Sequence, residues 1–215
     1  MERDTPLRGV GKTALGMAMI RAGESGRADR LFDDPYAQAF LEAAPAAFAA
    51  DEARAVRDRS SASLGAAFAS HAVLRTRFFD DFLLTAVGAG CRQVILLAAG
   101  LDSRPFRLPW PAGTRLYELD LPGVINFKEE VLAHSGARPA CDRAVIPADL
   151  RGSWPERLTA TGFDPAVPTA WLPEGLLLYL TAGEAARLLT GPPRVSRTGI
   201  RRLIHAASWP FRYSS

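Results

Sequence analysis

The chain has 215 residues, 48% of them apolar and 23% charged, a balance that excludes disordered and fibrous proteins and suits one soluble globular domain. Its formal charge of +3 sits in residues 191–215, which hold five arginines and no acid; subtracting those five from 26 Lys and Arg leaves 21 against 23 Asp and Glu. That near-neutral body argues against nucleic acid as a partner. No stretch reaches the ~20 apolar residues of a bilayer span, Glu2 and Asp4 stand where a secretory signal requires cations, and Cys91 and Cys141 form neither a disulfide framework nor a metal or redox pair. The expectation is a cytoplasmic, metal-free protein with reduced thiols and no membrane partner.

Residues 1–90 read as helical, because apolar residues recur at helical spacing and β-branched ones are few. Ala14, Leu15, Ala18, Met19 and Ala22 make one stripe. Asp34-Pro35 is a cap and first turn for a helix through Tyr36 and Phe40, and Leu74, Phe78 and Phe82 fall four apart in a helix over 64–87.

The character changes at Val94. The apolar run to Gly100 suits a strand buried on both faces, and Leu116–Asp120, Ala144–Asp149 and Ala170–Glu174 follow at intervals of about 25 residues, each ending in a carboxylate. Helices are predicted between them at 122–134 and 153–161, and Thr181 with Glu184 forms a capping box for one running to Leu189. Alternating strands and helices predict an α/β, Rossmann-like, mostly parallel sheet with helices on both faces and a helical N-terminal extension. The expected organisation is a domain over 1–190, helical over 1–90 with its core at 91–190, and an Arg- and Pro-rich tail at 191–215.

In such sheets ligands bind beyond the carboxyl ends of the strands. Gly100 lets a ligand approach the backbone, and Asp120, twenty residues later, stands where a carboxylate accepts ribose hydroxyls. Asp149-Leu150 adds an acceptor for an exocyclic amine and an apolar face for an adenine ring. The spacing suits any adenosine-bearing cofactor; taken alone, Gly100 reads equally as a turn glycine and Asp120 as a loop carboxylate. A nicotinamide dinucleotide fits less well. Ala98-Ala99-Gly100-Leu101-Asp102 lacks the pyrophosphate glycines, Pro105, Pro109 and Pro111 cut the following helix short, and Asp102 repels a pyrophosphate but suits a cofactor bearing a sulfonium and an amine. Gly11-Lys12-Thr13 is no phosphate loop, since the first glycine of that motif falls on Pro6 and no strand precedes it.

The residues together resemble a known family. Thr13-Ala14-Leu15, Asp34-Pro35 with Ala37, Arg75 through Asp81, Ala99 through Arg104, Glu118 through Pro122, Ala148 through Arg151 and Glu174 through Leu180 occur in the order found in S-adenosylmethionine-dependent methyltransferases related to leucine carboxyl methyltransferase and to the actinobacterial polyketide O-methyltransferase-like group. The resemblance implies S-adenosyl-L-methionine as cofactor and methyl transfer to a carboxylate or hydroxyl oxygen of a small molecule, in secondary metabolism. It implies Arg75 as partner of the cofactor's methionine carboxylate, Gly100 under the methionyl portion and Asp120 on the ribose. It further implies Asp149 and Leu150 at the adenine, and Glu174 near the methionyl amine. Displacement at a sulfonium needs orientation and a dry pocket more than a base, so no catalytic residue is assigned, and His71 and His134 are candidates by type only.

The resemblance also implies further strands after Leu189, where this sequence has none. The expectation is a sheet incomplete on that side, with 170–174 an open apolar edge that invites pairing with a second copy as a homodimer. An early end after a shifted reading frame accounts for the acid-free tail, and an inactive relative that at most binds cofactor is the alternative function. Twenty-four Arg against two Lys, with abundant Ala, suggests a high-GC bacterial source.

Overall fold

The structure, a computed structural model, describes residues 10–45 and 61–190. The tail at 191–215 lies outside them. The described residues fall into two compact units.

The first unit draws on Met1–Leu84, Gly100–Pro109 and Pro122–Ala140. It contains α1 (Val10–Ser25), α2 (Ala37–Glu42), most of α3 (Ser61–Gly88), the short α4 (Arg104–Arg107) and α5 (Pro122–His134). Leu15 and Ala18 of α1 and Phe40 of α2 are fully buried, and the Phe40 ring meets Phe127 of α5 with centroids 6.5 Å apart. Such rings contribute mainly through the area they remove from water.

One reading of this unit is corrected, and the helix predicted over 64–87 forms as part of α3. Asp34 does not cap α2, which is flanked by Tyr36 and has no side-chain cap. Its buried carboxylate instead takes Arg21 Nε at 2.7 Å and the Tyr36 N–H at 3.2 Å. Of the apolar series spaced by four on α3, Leu74 is 61% and Phe78 51% exposed while Phe82 is half-buried, and Met19 of the α1 stripe is likewise exposed. The buried face of α3 is Ala72, Thr76, Phe79, Asp80 and Leu83. A count of apolar residues misses that face because two of its members are polar and are stabilised by hydrogen bonds.

The second unit comprises Thr85–Ala99, Trp110–Leu121 and the chain from Cys141. Its sheet has four parallel strands, β1 (Gln93–Leu97), β2 (Arg115–Asp120), β3 (Asp142–Pro147) and β4 (Thr169–Leu172), in the order β3-β2-β1-β4. β1 is buried along its whole length and pairs Val94 with Leu116 on one side and Leu96 with Leu172 on the other. The chain moves outward from β1 to β3 and then returns to β4 across β1, so the switch in order falls between β1 and β4. The outer edge of β4 carries no paired strand among the described residues.

Helix α6 (Trp154–Ala160) and α7 (Ala182–Thr190) complete this unit, with a 3-10 turn at Leu177–Tyr179. Trp171 of β4 takes Trp154 and Phe163 edge-on at 6.4 and 5.7 Å, geometry that suits the ring quadrupoles. The capping box at α7 forms as predicted: the Thr181 N–H donates to Glu184 Oε2 at 2.8 Å and the Glu184 N–H to Thr181 Oγ1 at 3.3 Å. Arg143 Nε donates to Glu118 Oε2 at 2.6 Å in a buried ion pair between β3 and β2. Next to it, burial and the Glu118 charge push the Cys141 thiol up to about 12, which leaves it unreactive at neutral pH. No helix among the described residues is long and apolar enough to cross a membrane.

Candidate functional site

In the second unit the parallel strands align their carboxyl ends, and three predicted site segments follow them. Asp120 is the last residue of β2 and is 5% exposed. Its Oδ1 accepts the Leu121 N–H at 2.6 Å, which fixes the carboxylate at the strand end. Its backbone carbonyl accepts the Ala148 N–H at 2.8 Å, and this bond seats the chain that leaves β3 directly beside Asp120. Asp149 and Leu150 follow at once, so the sheet brings these three residues together. The Asp149 carboxylate is already engaged: Arg151 donates to it from Nη2 at 2.6 Å and from its N–H at 2.9 Å. The side-chain bond from Arg151, helped by the backbone bond, holds Asp149 below the usual carboxylate range. Glu174 lies two residues beyond β4, half-buried, just before Gly175 at φ +72° and the buried Leu176.

The turn after β1 carries backbone strain. Ala98 has φ +54°, a left-handed conformation that costs a residue with a Cβ about 1–2 kcal/mol, and Gly100 follows at φ +53°. Between them the Ala99 N–H donates to the Leu119 carbonyl at 3.1 Å, which extends the β1–β2 ladder by one bond. Gly100 was legible as a turn glycine. Ala98 was not, because alanine is not the residue that marks such a turn. Strain of this kind clusters where a backbone is held for a purpose.

In the first unit Arg75 lies half-buried on α3 and directs Nη2 at Met17 Sδ of α1, 3.6 Å away. Gly100-Leu101-Asp102 is gripped by arginines. The Leu101 carbonyl accepts Arg21 Nη2 at 2.7 Å. Asp102 Oδ1 takes the Arg104 N–H at 2.8 Å and Oδ2 takes Arg104 Nη1 at 2.6 Å. Burial alone raises the Asp102 carboxyl, but Arg104, the buried Lys128, the Arg104 backbone bond and Arg107 together pull it down to about 2. In the structure the Asp102 charge is directed at Arg104.

Arg21, Asp80, Arg104 and Arg107 carry the polar interior of this unit, and none was assigned a role from the sequence. Arginine and aspartate are surface residues by default, so their burial has no sequence signature short of the partner itself. His71 and His134 are exposed, and His134 Nδ1 lies 2.7 Å from its own helix's Glu130 carbonyl. Among the described residues no three His, Cys, Asp or Glu gather into a metal-ligating cluster.

Comparison with known proteins bears on this arrangement. The profile of the leucine carboxyl methyltransferase family matches residues 14–191. A protein of Parafrankia sp. is 52% identical over 202 residues, covering 93% of this chain and 64% of its own length. One of Frankia alni is 53% identical over 191 residues, 89% of this chain and 66% of its own. One of Mycobacterium tuberculosis is 48% identical over 184 residues, 85% of this chain and 61% of its own. All three are provisionally named S-adenosyl-L-methionine-dependent methyltransferases. The chain thus spans slightly less than two thirds of the length of these relatives.

Proposed function

Because this chain belongs to the leucine carboxyl methyltransferase family, we propose that it is an S-adenosyl-L-methionine-dependent methyltransferase acting on a carboxylate or hydroxyl oxygen of a small molecule. The observation that carries the reading is Asp120, a buried carboxylate fixed at the carboxyl end of a central parallel strand, where a ribose diol finds an acceptor. The strained turn at Ala98–Gly100 supports it, because a glycine backbone without Cβ suits the close approach of a ligand. A dinucleotide lacks this support, since α4 is a single turn and offers no long helix to a pyrophosphate.

In this reading Asp120 accepts the ribose hydroxyls, and Leu150 lies against the adenine. Asp149 accepts the adenine amine with whatever lone pairs its bonds to Arg151 leave. Gly100 and Arg75 are assigned to the methionyl backbone and its carboxylate, and Glu174 to the methionyl amine. When bound, the cofactor supplies an electrophilic methyl group on a sulfonium with a neutral thioether as leaving group. The protein's part is to orient and to exclude water, which is where such a displacement gains its rate. A carboxylate acceptor arrives ionised and needs no base.

The alternative to be separated from this reading is cofactor binding without transfer. Incubation with methyl-labelled cofactor and a panel of carboxylic acids and phenols separates the two. Base-labile label marks a methyl ester and base-stable label an ether, both in accord with the proposal. Label fixed on nitrogen or sulfur contradicts it, and bound cofactor with no transfer to any acceptor favours the alternative.

A further inference from the structure

We propose that Arg21 is a positioning residue that sets the backbone of the Gly100 turn for the cofactor, an inference that rests on the methyltransferase reading. Its guanidinium is buried and has two arms. Nε donates to Asp34 Oδ2 at 2.7 Å, and Nη2 donates to the Leu101 carbonyl at 2.7 Å, eighty residues further along the chain.

The first arm belongs to a closed circuit. The Arg21 carbonyl accepts the Ser25 hydroxyl at 2.8 Å, Ser25 Oγ accepts the Asp34 N–H at 2.8 Å, and the Asp34 carboxylate returns to the Arg21 side chain. Asp34 Oδ1 is also held by the Tyr36 N–H. The circuit immobilises the guanidinium, so the second arm points in one direction. A purely structural role ends there, with α1 tied to the turn before α2.

The second arm does something the fold of α1 does not require. Gly100, at φ +53°, has more backbone freedom than any other residue type, and the peptide after it could rotate among several orientations. A charged donor on the Leu101 carbonyl selects one. On the opposite flank the Asp102 carboxylate is fixed by Arg104, so the turn is held from both sides and the Gly100 backbone is presented already ordered. Ordering in advance is what raises affinity without any added ligand contact.

The test is calorimetric titration with S-adenosyl-L-methionine of the wild-type chain, Arg21→Lys and Asp34→Asn, with a thermal melt of each. A lysine ammonium keeps the charge opposite Asp34 but lacks the fork that spans two acceptors, so it loses the Leu101 bond. Arg21→Lys is expected to melt no lower than Asp34→Asn and yet to bind about five- to tenfold more weakly than wild type. Asp34→Asn leaves an amide oxygen to accept Arg21 Nε, so the guanidinium stays aimed at Leu101 while the opposite charge is lost; it is expected to melt lower while binding within about twofold of wild type.

Equal affinity of Arg21→Lys and wild type overturns the proposal, as does an affinity loss in both variants that tracks their melting temperatures. Wild-type protein that binds no cofactor overturns the methyltransferase reading itself, and this inference with it. Hydrogen exchange on the wild-type protein decides the matter even when Arg21→Lys does not fold. Cofactor is expected to slow exchange in 98–103 and in 18–25 together; protection of the turn with no change in α1 overturns the proposal.

Discussion

Asp80 of α3 and Arg104 of α4 are joined by a 2.6 Å bond between side chains that are 5% and 3% exposed. Arg107 adds two bonds to the same carboxylate, at 2.6 and 2.8 Å. One buried acid therefore holds two buried arginines, and Asp102 supplies the second negative charge. Removing one partner of such a group leaves uncompensated buried charge, which costs about 3–5 kcal/mol. Asp80→Asn, which keeps the shape, is expected to lower the urea-unfolding free energy by that amount; a loss below about 1 kcal/mol contradicts the role assigned to Asp80.

Asp102 gives this region a pH dependence whose sign is fixed. Its carboxyl titrates at about 2 in the folded chain, below the ordinary value of 3.8. A depressed acid contributes stability that is present above pH ~4 and is lost as pH falls toward ~2, here about 2 kcal/mol. The stability difference between wild type and Asp102→Asn should be constant above about pH 5 and shrink by that amount by pH 2. A difference that grows on acidification contradicts the assignment.

Ala98 is the one described non-glycine residue with positive φ. Ala98→Gly is expected to raise stability by roughly 0.5–1 kcal/mol, because relief of the left-handed strain exceeds the added entropy of the unfolded glycine. A glycine variant less stable than wild type shows that the alanine methyl packs usefully at this turn. Differential scanning calorimetry reads the sign directly.

The sheet was legible because its signal is physical and local. Strands buried on both faces read as continuous apolar runs, and Val94–Leu97 is such a run, while Leu116–Leu119 is interrupted only by Glu118, whose buried charge meets Arg143. The residues predicted at strand ends also fall there, although β3 stops at Pro147 and β4 at Leu172, two residues before Asp149 and Glu174. The inward face of α3 was not legible. Leu74 and Phe78 satisfy the same spacing as the true core face, and Asp80 is buried because two arginines, 24 and 27 residues away, come to meet it. Arg21 was hidden for the same reason, its partner lying eighty residues off. Asp34 carried a true signal that was misassigned: Asp-Pro marks a turn, and here the aspartate accepts from Tyr36 while its other oxygen is taken by Arg21.

The central claim is that the strand ends hold S-adenosyl-L-methionine through Asp120. Calorimetric titration of the wild-type chain and of Asp120→Ala, with NAD as a control, tests it most directly. The account predicts a dissociation constant on the order of micromolar for wild type, loss of binding in Asp120→Ala at an unchanged circular dichroism spectrum, and no heat with NAD. Cofactor bound equally well by Asp120→Ala, or no binding by a folded wild-type chain, would contradict it.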